Sequence, residues 1–225
     1  MGTKERRERE RDEMRTKILD AARELFAKEG YDAVSMRKIA EAIEYSPTAI
    51  YVHFKDKAEL IRELCHEDFG QMDEGNRRVM ALADPIERIR ELGLHYIRFA
   101  ASHPNHFRLM FMTKPSPEMV MSEEEMTQAG RGDPNQDGYA LLKLSVQQAI
   151  EQGRLRPELT DVDVLTQLMW AGVHGVASLH ITRPDAEQWC PWLGADRLGR
   201  EMIDTIFRGM LRDDDATAGK KVGER

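Results

Sequence analysis

Apolar residues recur along most of this chain at intervals of three and four, the spacing of positions on one face of an α-helix. The first such stripe is formed by Ile18, Leu19, Ala22, Leu25 and Phe26. Gly30 follows the stripe, and glycine commonly ends a helix because it adopts a left-handed conformation without a steric penalty. The pattern therefore predicts a first helix that stops near residue 30.

Three further short or medium helices are predicted from their first turns. Ser35 is a suitable N-cap for a second helix, because its hydroxyl can accept from a backbone N–H of the first turn. Ser46 caps a third helix with Pro47 at the first helical position, and this helix is expected to run to about residue 54. Asp56 and Glu59 form a capping-box pattern that opens a fourth.

Residues 49–54, AIYVHF, are of β-branched and aromatic types that favour strands, but no partner strand is predicted nearby. A short helix after Ser46 and Pro47 has a cap, a fixed first φ angle and two helices to pack on, so a helix is expected. In that helix Ile50 and Phe54 point inward. The residues expected on its outer surface are Pro47, Ala49, Tyr51, Val52 and His53.

Two short helices around a tight turn, with apolar and aromatic side chains left outside, suggest a helix-turn-helix whose second helix enters the DNA major groove. The alternative is a three-helix packing motif in which Tyr51 and His53 are only the edge of a core. Spacing alone leaves both interpretations open.

The rest of the chain also predicts helices. A capped first turn at residues 84–87 opens a helix that continues to Pro104. Further helices are expected around residues 107–110, over 139–152, after Thr160, and from near Asp196 to about residue 210. Residues 113–138 are rich in Pro, Gly, Ser and acid and are expected to form a long loop. The sequence therefore predicts an all-α protein of about nine helices.

The net charge of −7 at first argues against a nucleic-acid partner, because DNA phosphates attract basic surfaces. The charge is unevenly distributed, however. Residues 1–57 contain 13 Lys and Arg against 12 Asp and Glu, whereas residues 58–225 contain 20 against 28. The acidity therefore belongs to the larger C-terminal part, and a basic face on the first part is compatible with the composition.

The sequence contains no motif for catalysis or metal binding. It has no glycine-rich phosphate loop, HExxH or CxxC, and His103 and His106 flank Pro104, so they are not expected to share a helix face. We therefore predict no catalytic residue, no metal site and no cofactor. Because neither a secretory signal nor a run of about 18 to 20 apolar residues is present, we expect a cytoplasmic protein with no membrane partner.

Residues 14–64, and above all VSMRKIAEAIEYSPTAIYVHFKDKAEL, resemble the DNA-binding domain of the TetR family of transcriptional regulators. The features that carry the resemblance are Ser35, the Ile39-Ala40 pair, the sequence Tyr51-Val52-His53-Phe54, and Lys57. The sequence departs from the family pattern at Glu44, where a small residue or glycine is usual, and at Ala49, where a hydroxyl residue is common. The resemblance favours the helix-turn-helix over the packing motif.

The resemblance also implies which residues contact DNA. Those expected at the phosphate backbone are Ser46, Thr48, Tyr51, His53 and Lys57. Those expected at base edges are Arg37, Pro47, Ala49 and Val52. Apolar side chains can touch thymine methyl groups and arginine can read guanine. The alternative for Arg37 and Lys38 is a solvated helix start.

Residues 168–180, LMWAGVHGVASLH, resemble the WHG-type C-terminal domain found behind some TetR-family DNA-binding domains, through Trp170, His174 and Gly175. Glycine and serine inside a helix are costly unless another backbone approaches closely, so close packing across a two-fold homodimer is expected here. His174 is either a ligand-sensing polar group or a histidine with an ordinary structural partner.

An unidentified hydrophobic or aromatic small molecule is expected in the C-terminal part. The candidate ligand-binding residues are Tyr96, Phe99, Phe107, Met110, Phe111, Met169, Trp170 and His174. Ordinary core packing is the alternative for each of them. The resemblance implies a repressor that the ligand releases from a palindromic operator in double-stranded DNA; a TetR-like activator and a ligand-independent helical scaffold are the alternatives.

Four segments are expected. They are a charged N-terminal tail at 1–13, a three-helix helix-turn-helix domain at 14–60, a larger helical ligand-binding and dimerisation domain at 61–212, and a disordered tail at 213–225. Arg and Glu alternate from Lys4 to Lys17, which favours a helical extension over an arm that follows the DNA.

Overall fold

The computed structural model of the chain describes residues 3–113, 122–183 and 191–212, and these residues form helices with no β-strand among them. The α-helices are α1 (Thr3–Glu29), α2 (Met36–Ala42), α3 (Pro47–Tyr51), α4 (Lys57–Met80), α5 (Pro85–Ser102), α6 (Pro104–Phe107), α7 (Glu123–Gln128), α8 (Gly138–Glu151), α9 (Val162–Thr182) and α10 (Ala195–Met210). A π-helical turn, Arg108–Met112, follows α6. The all-α prediction is confirmed, with ten α-helices in the described part of the chain where about nine are expected.

The count differs by one because a short helix, α7, occurs where the sequence predicts a loop, whereas α6 and the π-helical turn lie near the helix predicted around residues 107–110. Pro104 starts the four-residue α6, and α7 lies within the stretch 113–138 that is predicted as a loop. Residues 114–121 of that stretch and the predicted disordered tail 213–225 lie outside the described residues. Helix α1 begins at Thr3 in the segment predicted as a charged tail. Ion pairs four residues apart, such as Arg6 with Glu10 at 2.9 Å, support this helical extension.

The chain divides into two compact units. The first contains Met1–Gly70 and His103–Glu124, and the second contains Gln71–Ser102 and Glu125–Arg225. In the first unit α6 and the π-helical turn pack on α1, and Leu109 is buried in its core. The sequence predicts a boundary between residues 60 and 61, which assigns this segment to the second domain. A local sequence pattern cannot indicate the contact of the segment with α1, because the two are far apart in the chain. The predicted domain boundaries stay a prediction.

The first unit has a continuous apolar core contributed by α1 to α4 and the π-helical turn. Its most deeply buried large side chains are Phe26, Phe54, Ile18, Ile39, Ile50, Leu60, Ile61 and Leu64. Three predicted caps position the helices around this core. Ser35 accepts from the Lys38 backbone N–H, Ser46 accepts from that of Ala49 at 3.3 Å, and Asp56 accepts from that of Glu59 at 2.7 Å.

The prediction that the third helix runs to about residue 54 is wrong, because α3 ends at Tyr51. The backbone N–H groups of His53 and Phe54 both donate to the Ile50 carbonyl, at 2.9 and 3.0 Å. The backbone forms a tight turn at this point. The turn places the Phe54 side chain in the core, where Phe54 is 1% exposed.

Helix α2 ends in a Schellman arrangement that sets the turn before α3. The Tyr45 N–H donates to the Ala40 carbonyl at 2.9 Å, and the Glu44 N–H donates to the Glu41 carbonyl at 3.2 Å. Glu44 has a φ angle of +61°, in the left-handed region that this motif requires. This is the position where the family pattern has a small residue or glycine.

The second unit is built on α5, α8, α9 and α10, which pack against one another around a second apolar core. Leu94, Ile97, Leu141, Val146 and Ile203 are among its most buried side chains. Asp137 caps α8 and Asp161 caps α9. The sequence predicts that α9 begins directly after Thr160, but the side chain that accepts from a first-turn N–H of α9 is that of Asp161. None of the described helices is long and apolar enough to cross a bilayer.

Candidate DNA-binding surface and ligand-binding core

Helix α3 and the residue after it present apolar and polar side chains to solvent. Ile50 is fully buried, whereas Tyr51 and Val52 are 54% and 69% exposed. The other exposed positions predicted to contact DNA are Arg37, Ser46, Pro47 and Thr48, while Ala49 and His53 are half-buried. The inward positions Ile50 and Phe54 and the outward positions Pro47, Tyr51 and Val52 are confirmed, but Ala49 and His53 are only partly exposed. Exposed Tyr51 and Val52 offer both a hydroxyl for phosphate and an apolar surface for a base edge.

Arg37 lies exposed on α2, where its Nε donates to the Glu41 carboxylate at 2.8 Å. This hydrogen bond and the charge of Glu41 raise the pKa of Arg37. Glu41 accepts from only one of the five N–H donors of the guanidinium, so the two Nη groups are left for a base edge. Lys38 is held elsewhere, by a short ion pair with Glu29 at the end of α1.

Lys57 has structural partners inside the first unit. Its Nζ donates to the carbonyls of Tyr31 and Val34 at 2.8 and 2.9 Å and lies 3.9 Å from the centroid of the Tyr31 ring. These bonds tie the start of α4 to the loop between α1 and α2, and they use two of the three ammonium donors. The phosphate contact predicted for Lys57 stays a prediction, and it has to come from the third donor.

His53 lies close to positive charge from α1. The pKa of His53 is lowered mainly by burial of the imidazole and, to a smaller extent, by the charges of Arg11 and Arg15. A neutral imidazole still has one N–H to donate to a phosphate. Sequence analysis missed Arg11 and Arg15 because basic and acidic residues alternate there, although their spacing of four places them on one helix face.

Tyr45 is a second feature that sequence analysis missed. Its ring is 43% exposed in the turn just before the Ser46 cap, and the Lys17 Nζ lies 4.9 Å from its centroid. The sequence feature that could have indicated Tyr45 is its place as an aromatic residue directly before the cap of α3. Tyr45 and Lys17 extend the exposed surface of α3 with an aromatic ring and a cation.

In the second unit, three predicted ligand-binding side chains form a hydrogen-bonded cluster. The Trp170 Nε1–H donates to the Tyr96 hydroxyl at 3.3 Å, and that hydroxyl lies 2.9 Å from His174 Nδ1. Burial lowers the pKa of His174 and raises that of Tyr96, so the neutral forms are favoured, with the hydroxyl donating to Nδ1. Tyr139 of α8 adds an edge-on contact to Trp170, with ring centroids 5.8 Å apart.

The other predicted ligand-binding residues are distributed between both units. Met169 and Phe99 are buried in the second unit. Phe107, Met110 and Phe111 belong to the first, where the Phe107 and Phe111 rings lie 5.0 Å apart and Phe111 contacts Phe69 edge-on. The eight residues therefore do not form a single cluster within one unit.

A buried charge cluster in the first unit was not predicted. Asp68 of α4 is fully buried, and its Oδ1 accepts from the Arg23 Nε of α1 at 3.0 Å. His106 Nδ1 of α6 lies 3.0 Å from the same oxygen. His103 and His106 have ring centroids 5.2 Å apart, which corrects the expectation that Pro104 keeps them on separate faces. In the described part of the chain, no group of three or more His, Cys, Asp or Glu residues is arranged to hold a metal ion.

The small residues of α9 have different surroundings. A Cβ at Gly172 would lie 2.9 Å from the Met202 sulfur of α10, so glycine allows α9 and α10 of one protomer to approach closely. A Cβ at Gly175 would have no neighbour within 4 Å in the protomer. The explanation by dimer packing is therefore wrong for Gly172, and it stays a prediction for Gly175.

Comparison with family models matches both parts of the chain. Residues 18–64 match the bacterial regulatory proteins of the tetR family, and residues 89–206 match the tetracyclin repressor-like C-terminal domain. The regulator AcrR of Shigella flexneri is 29% identical over 153 residues, which cover 67% of this chain and 70% of AcrR. The repressor Rv1474c of Mycobacterium tuberculosis is 45% identical over 58 residues, 26% of this chain and 31% of that protein.

Solved structures share the fold. The ketosteroid transcriptional regulator KstR2 of Mycobacterium tuberculosis superposes with a TM-score of 0.70 at 20% identity, covering 89% of this chain and 96% of KstR2. AibR, solved with isovaleryl coenzyme A and operator DNA, has a TM-score of 0.66 at 19% identity, covering 85% of this chain and 96% of AibR.

Proposed function

This chain belongs to the TetR family of bacterial regulatory proteins, and on that premise we propose that it is a cytoplasmic repressor released from a palindromic operator by a small hydrophobic ligand. It is a DNA-binding transcriptional regulator of a family that binds operators as dimers, and its relatives are regulators rather than enzymes. The observation that carries the proposal is the solvent-facing side of α3, where Tyr51 and Val52 stand exposed over the buried Ile50.

Two kinds of DNA contact are proposed for the helix-turn-helix. Tyr51, His53 and the remaining donor of Lys57 would hold phosphates, with Ser46 and Thr48 beside them. Arg37, Pro47, Ala49 and Val52 would face base edges. The exposure of Tyr51 and Val52 supports this division. Because Glu41 accepts from Nε of Arg37, the two Nη groups of that residue are left to donate to guanine O6 and N7.

The ligand is proposed to bind in the second unit beside the cluster formed by Tyr96, Trp170 and His174. AibR, which holds both an acyl thioester and operator DNA, shows that a protein of this fold can bind both. Helix α4 contains residues of both units, with the division after Gly70. A ligand that shifts α4 would change the separation of the two recognition helices in a dimer from the one DNA turn, about 34 to 36 Å, that binding needs.

The test measures binding of the full-length protein to a selected operator and to a random duplex across a salt series. We expect affinity for both duplexes to fall steeply with salt. Tyr51→Phe should weaken both equally, whereas Val52→Ala and Arg37→Gln should alter the preference between operator sequences by about 1 to 3 kcal/mol per contacted base. Equal effects of all three substitutions on operator and random DNA would show that the proposed division of contacts is wrong.

A further inference from the structure

Two arginine side chains are almost fully buried in the described structure, and their surroundings differ sharply. Arg23 of the first unit is 6% exposed and has three carboxylate partners, Asp20, Glu67 and Asp68. Arg88 of α5 in the second unit is 7% exposed, and no ion pair of the described residues includes it. Among the described residues, acidic side chains thus neutralise the guanidinium of Arg23, and none pairs with that of Arg88.

Arg88 has one side-chain partner, the amide oxygen of Gln148 on α8, which accepts a short hydrogen bond from Nη2. The neighbouring Nε is buried and has no hydrogen-bond acceptor. Nε and Nη2 form the edge of a guanidinium that accommodates the two oxygens of a carboxylate side by side. A single amide oxygen satisfies half of that edge.

The acidic residue one helical turn before Arg88 is engaged elsewhere. Asp84 caps α5 by accepting from the Ile86 N–H at 2.8 Å, and its other oxygen pairs with Arg154 at 3.2 Å. The other arginines of α5 have carboxylate partners, since Arg90 pairs with Asp204 at 2.5 Å and Arg98 with Asp196 at 3.0 Å. The missing counter-ion is therefore specific to Arg88.

An arginine cannot relieve this situation by losing its proton, because it stays charged at any pH that a folded protein tolerates. A buried charge without a partner is strongly unfavourable, and natural proteins normally pair it. A buried charge of this kind is retained in a protein where it serves ligand binding, because the bound ligand supplies the missing counter-ion.

We propose that Arg88, with Gln148, is the anchor for the carboxylate of the regulatory ligand, whose apolar body packs among the core side chains of the second unit. This assignment rests on the proposed ligand-controlled function and narrows the ligand class to organic acids with a hydrophobic chain or ring. The carboxylate occupies Nε and Nη2, and the Gln148 amide turns to donate to it. Neutral hydrophobic molecules lack the group that compensates the buried charge.

The test follows thermal unfolding of the full-length protein with straight-chain carboxylates from acetate to decanoate and with the alcohols of equal length. A carboxylate of fitting length at about 100 times its Kd should raise Tm by about 5 to 10 °C, and its alcohol should not. Arg88→Met should abolish this rise, while the control Arg98→Met, on the same helix but paired at the surface, should keep it. Without ligand, Arg88→Met should raise Tm, because it removes an uncompensated buried charge.

The proposal is overturned if no carboxylate in the series stabilises the protein more than its alcohol, or if Arg88→Met responds to the carboxylate that stabilises the wild type as the wild type does. A decrease of the ligand-free Tm in both Arg88→Met and Arg88→Gln would likewise show that Arg88 is a satisfied structural residue. Operator release by the stabilising carboxylate is measured separately. If the carboxylate stabilises the protein but does not release it from the operator, then Arg88 still binds the carboxylate, and only the proposed repressor function is contradicted.

Discussion

Glu44 occupies a strained backbone position in the turn of the helix-turn-helix, at a cost in stability. Its φ angle of +61° satisfies the Schellman turn that ends α2, but a residue with a Cβ is disfavoured there by roughly 1 to 2 kcal/mol. The side chain is exposed, so no contact in the described structure compensates this strain. The turn geometry is thus retained by the surrounding packing and not by the residue that occupies it.

We expect Glu44→Gly to raise the free energy of unfolding by about 0.5 to 1 kcal/mol, because the relief of strain exceeds the entropy that glycine adds to the unfolded chain. The measurement is urea denaturation monitored by circular dichroism. The matched control is Glu24→Gly, at an exposed position inside α1, which should lower stability by about 1 kcal/mol. Equal losses in both variants would show that Glu44 is not strained.

His174 should make the stability of the second unit sensitive to acid. Burial lowers the pKa of His174 below its usual value of 6.5, so the unfolded chain binds a proton more readily than the folded one. The stabilising contribution is therefore complete above about pH 6.5 and is lost as the pH falls below it. His174→Asn, which retains an acceptor for the Tyr96 hydroxyl, should reduce the decrease in Tm between pH 7 and pH 5.

The control for this substitution is His180→Asn, an exposed histidine of the same helix. It should lose as much stability with acid as the wild type does. If His174→Asn also follows the wild-type pH profile, then the hydrogen bond between Tyr96 and His174 does not depend on a neutral imidazole, and another group causes the acid sensitivity.

At the scale of elements, α9 contains two glycines with different surroundings. One packs against α10 within the protomer, and the other has no neighbouring side chain there among the described residues. Gly172 faces Met202 and Ile206 of α10, whereas nothing lies within 4 Å of a Cβ at Gly175. The same helix exposes the apolar side chains of Leu168 and Leu179. The pattern fits a helix that packs on α10 with one side and on a second copy of the chain with another.

We expect Gly172→Leu to lower protomer stability by about 1 to 3 kcal/mol, because the side chain overpacks the contact between α9 and α10. Gly175→Leu should leave the helix intact and weaken the dimer. Thermal unfolding and analytical ultracentrifugation at micromolar concentration separate the two effects. A Gly175→Leu protein that dimerises as the wild type does would place the dimer contact elsewhere on the surface.

At the scale of the whole molecule, regulation requires that the ligand and the operator affect each other's affinity equally. If a ligand weakens operator binding tenfold, then the operator must weaken ligand binding tenfold, because both factors describe one coupling free energy. A change from mostly bound to mostly released needs a preference of several kcal/mol for the released form. We expect this reciprocity when a stabilising carboxylate is titrated by calorimetry with and without operator DNA. Identical ligand affinities in the two titrations would make the protein a DNA binder that its ligand does not control.

The sequence by itself determined most of the helices, the caps at Ser35, Ser46 and Asp56, and the solvent-facing side of α3. Ser35, Ser46 and Asp56 cap through bonds to backbone groups within the next three residues, so their partners are set by spacing alone. The inward position of Ile50 follows in the same way from the helical period, whereas the turn after α3 carries Phe54 inward. Local physics was sufficient for this part of the fold and for the family resemblance that follows from it.

Only the tertiary structure decided which side chains are paired and which unit they join. Lys57 bonds to carbonyls more than twenty residues away, and Phe107 and Phe111 belong to the first unit, apart from Tyr96 and Trp170. Arg88 looks like any surface arginine near a helix start, and its uncompensated burial exists only because α5 and α8 pack together. Burial and ion pairing depend on residues far apart in the chain, so no local pattern contains them.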